Sequence, residues 1–209
     1  MAAFVPSVLG AIKSGAGAVD TLSDVLMDQK YRVTCLIEIY NWTNELLTHP
    51  VVRVAGGQVE IPPKDILPGK KEIMVARKRA YTATGSYGTV SWLIEGKNRR
   101  IVLMWIAPFN FDFHGNWLAV GITAEGVTKH EKGNKWYEQM YKGIPSSSLR
   151  FSRMKYKKDV ETVIHEEDGI EISGTMSTSH QAKVMITVRP VNKTSFGAYI
   201  KAHFAEPSN

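Results

Sequence analysis

The chain has 209 residues, which suits one domain with a short appendage. Hydrophobic residues make up 44% and charged residues 22%, which excludes a disordered chain; 26 Lys+Arg against 20 Asp+Glu leave a net charge of +6 that favours anionic partners. The single cysteine, Cys35, excludes an internal disulfide framework and a Cys-rich zinc site, and no apolar run reaches the roughly 18 residues of a spanning helix.

Residues 1–28 differ in character from the rest. At about 100° per residue, Val5, Val8, Leu9, Ile12, Ala16, Val19, Leu22 and Leu26 form one apolar stripe. Lys13, Asp20, Asp24 and Asp28 fall on the opposite side, and Pro6 suits a first helical turn. The segment reads as an amphipathic helix of about 20 residues, roughly 30 Å long. Three readings stay open. It is a surface helix docked on a core, or a signal peptide, or a helix that leaves the fold for a bilayer. Ala16-Gly17-Ala18 has the look of a cleavage site, but no positive charge precedes the apolar stretch and Lys13 interrupts it. Gly10, Gly15 and Gly17 each cost roughly 0.5–1 kcal/mol in a helix interior, so the helix is marginal in water without a partner surface.

From Tyr31 onward the pattern shortens to strands. Alternation across Arg32–Tyr40, and β-rich runs in Val51–Ile61 around a turn at Gly56-Gly57, predict the first of them. Ile73–Arg77, Gly88–Ile94 and Arg100–Ala107 follow, the last two joined by a turn at Gly96-Lys97-Asn98. Leu118–Thr123, Asp159–His165, Gly169–Ser173 and Ala182–Val191 complete the set. Short strands without βαβ alternation predict a β-sandwich or barrel. One helix interrupts them. Asn134 is placed to cap it, Gly143 and Pro145 to end it, and Trp136/Met140 and Tyr137/Tyr141 form two rows along it.

Enzyme motifs are missing: HExxH, paired CxxC, GxxxxGK[ST] and GxSxG do not occur. The expectation is no catalytic residue, no metal and no cofactor. The basic runs Arg77-Lys78-Arg79, Asn98-Arg99-Arg100 and Lys155-Tyr156-Lys157-Lys158 suit RNA, heparin or an anionic membrane, or are solvated loops. Asn41-Trp42-Thr43 and Asn192-Lys193-Thr194 match glycosylation sequons. Trp105 to Trp117 is more distinctive. It carries Trp105, Phe109, Phe111, Phe113 and Trp117 among the loop formers Pro108, Asn110, Asp112, Gly115 and Asn116. Such rings either close the end of a core or sit at headgroup depth in a membrane.

Ala83-Thr84-Gly85 with the strand to Ile94, then Pro108 to Trp117, then Trp136-Tyr-Glu-Gln-Met-Tyr141 resemble, in order and spacing, the motifs of the actinoporins. These are pore-forming cytolysins first known from sea anemones. Arg53 and Pro68-Gly69 also fit, and the likeness runs from about Val8 to Val191. It implies an all-β sandwich flanked by two helices: an inserting helix at 1–28, a lipid-binding body at 29–193 and an extension at 194–209. It implies a secreted monomer that binds a target membrane through its aromatic loop, inserts the N-terminal helix and assembles into a homo-oligomeric pore. By position, Phe113 and Trp117 match membrane-inserting tryptophans, Tyr137 and Tyr141 match headgroup-binding tyrosines, and Pro108 lines their pocket. The expected lipid surface is Arg53, Pro108, Phe109, Phe111, Phe113, His114, Trp117, Tyr137, Tyr141 and Lys142. The partner implied is sphingomyelin or another phosphocholine lipid, with anionic lipid as an addition. With Asp20, Asp24 and Asp28 against Lys13 on the polar face, the pore is expected to favour cations.

The chain departs from the family pattern at several positions. Phe113, His114, Leu118 and Lys142 stand where the family has aromatic residues, and Ile106 where it has a serine. A non-lytic phospholipid- or glycan-binding module of the same fold is the alternative. A nucleic-acid binder rests on charge alone and is not expected.

Overall fold

The computed structural model describes residues 31–111, 113–192 and 197. The apolar stripe at Val5, Val8, Leu9, Ile12, Val19, Leu22 and Leu26, its polar face at Lys13, Asp20, Asp24 and Asp28, and nearly all of the extension at 194–209 lie outside them. The chain divides into two units, residues 1–31 and 32–209; the second carries the whole fold below.

Among the described residues that fold is a sandwich of eleven strands. They are β1 (Thr34–Asn41), β2 (Leu47–Gly56), β3 (Gln58–Ile61), β4 (Lys71–Arg77), β5 (Ser86–Ile94), β6 (Arg99–Ala107), β7 (Asn116–Thr123), β8 (Leu149–Tyr156), β9 (Val163–Glu167), β10 (Ile170–Met176) and β11 (Gln181–Pro190). One sheet has the order β3-β4-β1-β11-β10-β9, the other β2-β5-β6-β7-β8. All neighbouring strands are antiparallel except β1 and β11, which run parallel with Thr34 opposite Gln181 and Asn41 opposite Val188. The predicted turn at Gly56-Gly57 is a crossing between sheets rather than a hairpin, because β2 pairs with β5 and β3 with β4. Gly57 holds φ +93, and a Cβ there would lie 2.4 Å from the Arg77 carbonyl oxygen.

The period-2 rule explains the burial. All nine residues of β6 are buried, and alternate ones serve different clusters. Ile101, Leu103, Trp105 and Ala107 enter the core between the sheets, with Trp92, Tyr156 and Leu118. Val102, Met104 and Ile106 face the other way and are covered by Trp136 and Met140. Those two belong to α1 (Lys135–Lys142), so the five-stranded sheet is sealed on both faces. Of the two flanking helices expected, α1 falls among the described residues. Asn134 stands at its N-cap position but makes no side-chain cap bond; its backbone carbonyl accepts from Glu138 N–H at 2.9 Å. Among the described residues no helix is long and apolar enough to cross a membrane.

Two expectations about surface groups are corrected. The Asn98-Arg99-Arg100 run is not an exposed cationic patch: Arg99 pairs with Asp168, and Arg100 is 2% exposed. Asn41 is fully buried, donating to the Glu45 and Ile66 carbonyls and accepting from Thr43, which closes it to glycosylation. The strand β8 was concealed by its charges, because Arg150, Arg153 and Lys155 alternate with Leu149, Phe151, Met154 and Tyr156.

Candidate functional site

The outer face of the five-stranded sheet carries a row of four aromatic rings. Tyr87 comes from β5, Trp117 from β7, and Tyr137 and Tyr141 from α1. The two helix tyrosines share a face because they stand four apart. Tyr87 and Tyr137 stack with centroids 5.5 Å apart, Tyr137 and Tyr141 at 6.0 Å, and Trp117 meets Tyr141 edge-on at 5.7 Å. All four are half-buried against the cluster beneath α1, so each presents part of a ring to solvent. Burial, then the neighbouring Tyr87 and Tyr141 and the Glu138 carboxylate, push the Tyr137 phenol well above its ordinary range. It stays a neutral hydroxyl able to donate or accept.

Cations close one end of the row. The Lys142 ammonium sits 5.7 Å from the Tyr141 ring centre and the Lys155 ammonium 5.8 Å from that of Trp117. Arg153 donates to the carbonyls of Met140, Tyr141 and Gly143, tying the end of α1 to β8. Tyr87 was not singled out from the sequence. The signal was its opposite neighbour: an added Cβ on Gly56 would lie 2.2 Å from Tyr87 Cζ, so only glycine lets that ring lie flat across β2.

The loop between β6 and β7, residues 108–115, sorts its three phenylalanines. Phe109 packs against the sandwich core, with the Arg32 guanidinium 4.9 Å and the Lys78 ammonium 5.6 Å from its ring centre. It is therefore a structural ring and not an exposed one. Phe111 leans on His180 at 5.6 Å, and the His180 Nε2–H donates to the Phe109 carbonyl at 3.1 Å. Phe113 projects free, 76% exposed, beside exposed His114. Pro108 is half-buried at the base of the loop. Asn116 anchors the other end: its Nδ2 donates to the Ser177 and Ser179 carbonyls, fixing the loop to the β10–β11 turn. The sequence marks Asn116 as a loop former but gives no sign of these two bonds, and it does not single out His180.

Arg53 is exposed on β2, opposite Thr89. Thr89 and Tyr87 are two apart on β5, so Arg53 lies on the same sheet face as the ring row, beside a buried polar group whose His130 feels its charge. There the Arg100 Nε donates to Ser91 Oγ at 2.8 Å, Ser91 Oγ meets His130 Nδ1 at 2.7 Å, and His130 Nε2 meets Thr89 Oγ1 at 3.3 Å. Trp136 lies over the His130 ring at 4.5 Å. The structure thus brings Trp117, Tyr137, Tyr141 and Lys142 together, places Phe113 and His114 on the adjoining loop, keeps Arg53 on the sheet face that carries Tyr87, and turns Phe109 to the core.

These features were compared with known proteins. The sequence model of the sea anemone cytotoxic protein family matches residues 8–190. The chain is 43% identical over 185 residues to Tereporin-Ca1 of Terebra anilis, covering 87% of this chain and 97% of that protein. It is 39% identical over 193 residues to Echotoxin-2 of Monoplex parthenopeus, covering 91% and 67%. In fold it is similar to the crystal structure of the lipid binding protein Nakanori, with a TM-score of 0.66, 15% identity, and coverage of 88% of this chain and 85% of that one.

Proposed function

The chain belongs to the sea anemone cytotoxic protein family, and on that premise we propose that it is a secreted pore-forming cytolysin. The family is one of cytotoxins, and the chain is not an enzyme. The observation that carries the proposal is the ring row Tyr87–Tyr137–Tyr141–Trp117, half-exposed beside a loop that offers Phe113 to solvent. Half-buried tyrosines and a tryptophan suit headgroup depth, where one edge of each ring is apolar and the other is wet. A quaternary ammonium is attracted to open ring faces, so the Tyr87–Tyr137 end suits the choline of sphingomyelin or phosphatidylcholine. Lys142 and Lys155 hold the other end and suit the lipid phosphate or an anionic headgroup.

In this reading binding comes first, through the ring row and the 108–115 loop. Residues 1–28 then enter the bilayer as a helix, with Val8, Leu9, Ile12, Val19, Leu22 and Leu26 against lipid. Several copies assemble so that Asp20, Asp24 and Asp28 line a cation-favouring pore. The test is release of dye from loaded vesicles. Deleting residues 1–27 abolishes leakage while sedimentation with vesicles survives. Leakage that persists in the deletion variant excludes the helix as the pore wall. Binding by the full chain without leakage at any lipid composition supports the non-lytic module instead.

A further inference from the structure

Three adjacent loops are among those that leave the sandwich at one end. They are residues 78–85 between β4 and β5, 108–115 between β6 and β7, and 157–162 between β8 and β9. The registers set them side by side, since Ser86 pairs with Ala107 and Asn116 with Tyr156. Their bases touch: a Cβ on Gly85 would lie 2.2 Å from the Ala107 carbonyl oxygen, and one on Gly115 would lie 2.8 Å from that of Tyr156. Each loop exposes one large apolar side chain: Tyr81 at 105%, Phe113 at 76% and Val160 at 56%.

Tyr81 is the least expected of the three. Its backbone sits at φ +56, a left-handed conformation that a bulky residue adopts at a steric cost. The loop around it is tied down. Lys78 Nζ donates to the Arg79 carbonyl at 3.0 Å, Thr82 Oγ1 to the same carbonyl at 2.9 Å, and Arg79 Nε to the Gly57 carbonyl at 3.1 Å. The ring is therefore held outward by its own loop. Arg79, Lys157 and Lys158 are exposed around the three apolar tips, with Asp159 and Glu161 as the exposed acids of these loops among the described residues. Apolar tips ringed by cations suit a lipid surface that carries negative charge.

We propose that Tyr81 is a membrane anchor on a second loop, and that Tyr81, Phe113 and Val160 form a tripod that seats this end of the sandwich on an anionic bilayer. The inference rests on the lipid-binding reading above and extends it to a loop that the aromatic motif does not include. It also fixes the approach: the strand axes of the sandwich stand up from the membrane, with the Gly96-Lys97-Asn98 turn at the far end.

Cys35 is fully buried, so a cysteine placed at 81 is the single accessible thiol of the full chain. An environment-sensitive NBD dye on Tyr81→Cys brightens and shifts to the blue on phosphatidylcholine vesicles containing phosphatidylserine, as does the dye on Phe113→Cys. The same dye on Glu95→Cys, at the far end, does not respond. Tyr81→Asn, whose side chain tolerates the left-handed backbone, folds and binds those vesicles about tenfold more weakly. A silent dye at 81 beside a responsive one at 113, or unchanged affinity in Tyr81→Asn, overturns the tripod and leaves lipid binding standing. Equal responses on vesicles with and without phosphatidylserine overturn its anionic preference. Silence at both positions on every vesicle overturns the tripod and the lipid-binding reading together.

Discussion

His130 is buried beside two guanidiniums, an environment that favours the neutral ring. Ser91 Oγ accepts from Arg100 Nε, and the two ring nitrogens of His130 meet Ser91 Oγ at 2.7 Å and Thr89 Oγ1 at 3.3 Å. Burial, reinforced by the Arg100 and Arg53 guanidiniums, lowers its pKa to about 4. The folded state thus refuses a proton that the unfolded chain takes up near the ordinary histidine value of 6.5. Stability from this site is complete above that value and is lost as pH falls toward about 4, by up to about 3 kcal/mol. Chemical denaturation across this range detects the decline, and His130→Asn, which loses the titrating ring and keeps an amide able to bond, flattens it. Parallel profiles for the two proteins disprove the neutral assignment. The sequence offered no hint of this group, because Ser91, Arg100 and His130 are separated by the chain and joined only through the sheet and the loop ahead of α1.

At the level of elements, legibility followed the fit between pattern and environment. β6 was readable as a strand because seven apolar residues follow one another, and its burial on both faces follows from that same run. The pairing of Trp136 with Met140, and of Tyr137 with Tyr141, was readable from helical spacing alone. β8 was not, because its solvent-facing cations broke up the apolar alternation. The ring row was half legible: Trp117, Tyr137 and Tyr141 stood out as the aromatic residues of their motifs, whereas Tyr87 lay unremarked in the strand after Ala83-Thr84-Gly85, because its place in the row depends on the β2–β5 register, which no local pattern encodes. That register yields a prediction. Gly56→Ala puts a methyl into the Tyr87 ring and must turn it off the sheet, at a cost of about 1–3 kcal/mol. The near-ultraviolet circular dichroism of the tyrosines changes, and affinity for phosphocholine vesicles drops while the strand content holds. Unchanged affinity separates Tyr87 from the lipid site.

At the largest scale, the unit of residues 32–209 is a sandwich whose five-stranded layer is sealed twice, once by the opposing sheet and once by α1. Sequence patterning gave the class of fold, but the sheet order and the parallel β1–β11 pair are long-range matters that alternation is blind to. Cys35 reports on this assembly as a unit. It sits on central β1 between Ala76 and Ala182, fully buried, and burial pushes its thiol far above the ordinary range. Thiol reagents therefore stay inert toward the native protein, and their reaction with urea rises in step with the loss of tryptophan fluorescence. Rapid labelling in native buffer contradicts a tightly held β1.

The position of β1 has a mechanical corollary. The chain enters the sandwich not along a margin but down the middle of a layer, bonded to β4 on one flank and to β11 on the other. A pull along the strand axis from upstream of Thr34 is thus resisted in shear, by the rungs of two ladders together and not one at a time. Whatever journey the leading segment makes, the load stops at that double clamp, and the rest of the sandwich keeps its shape.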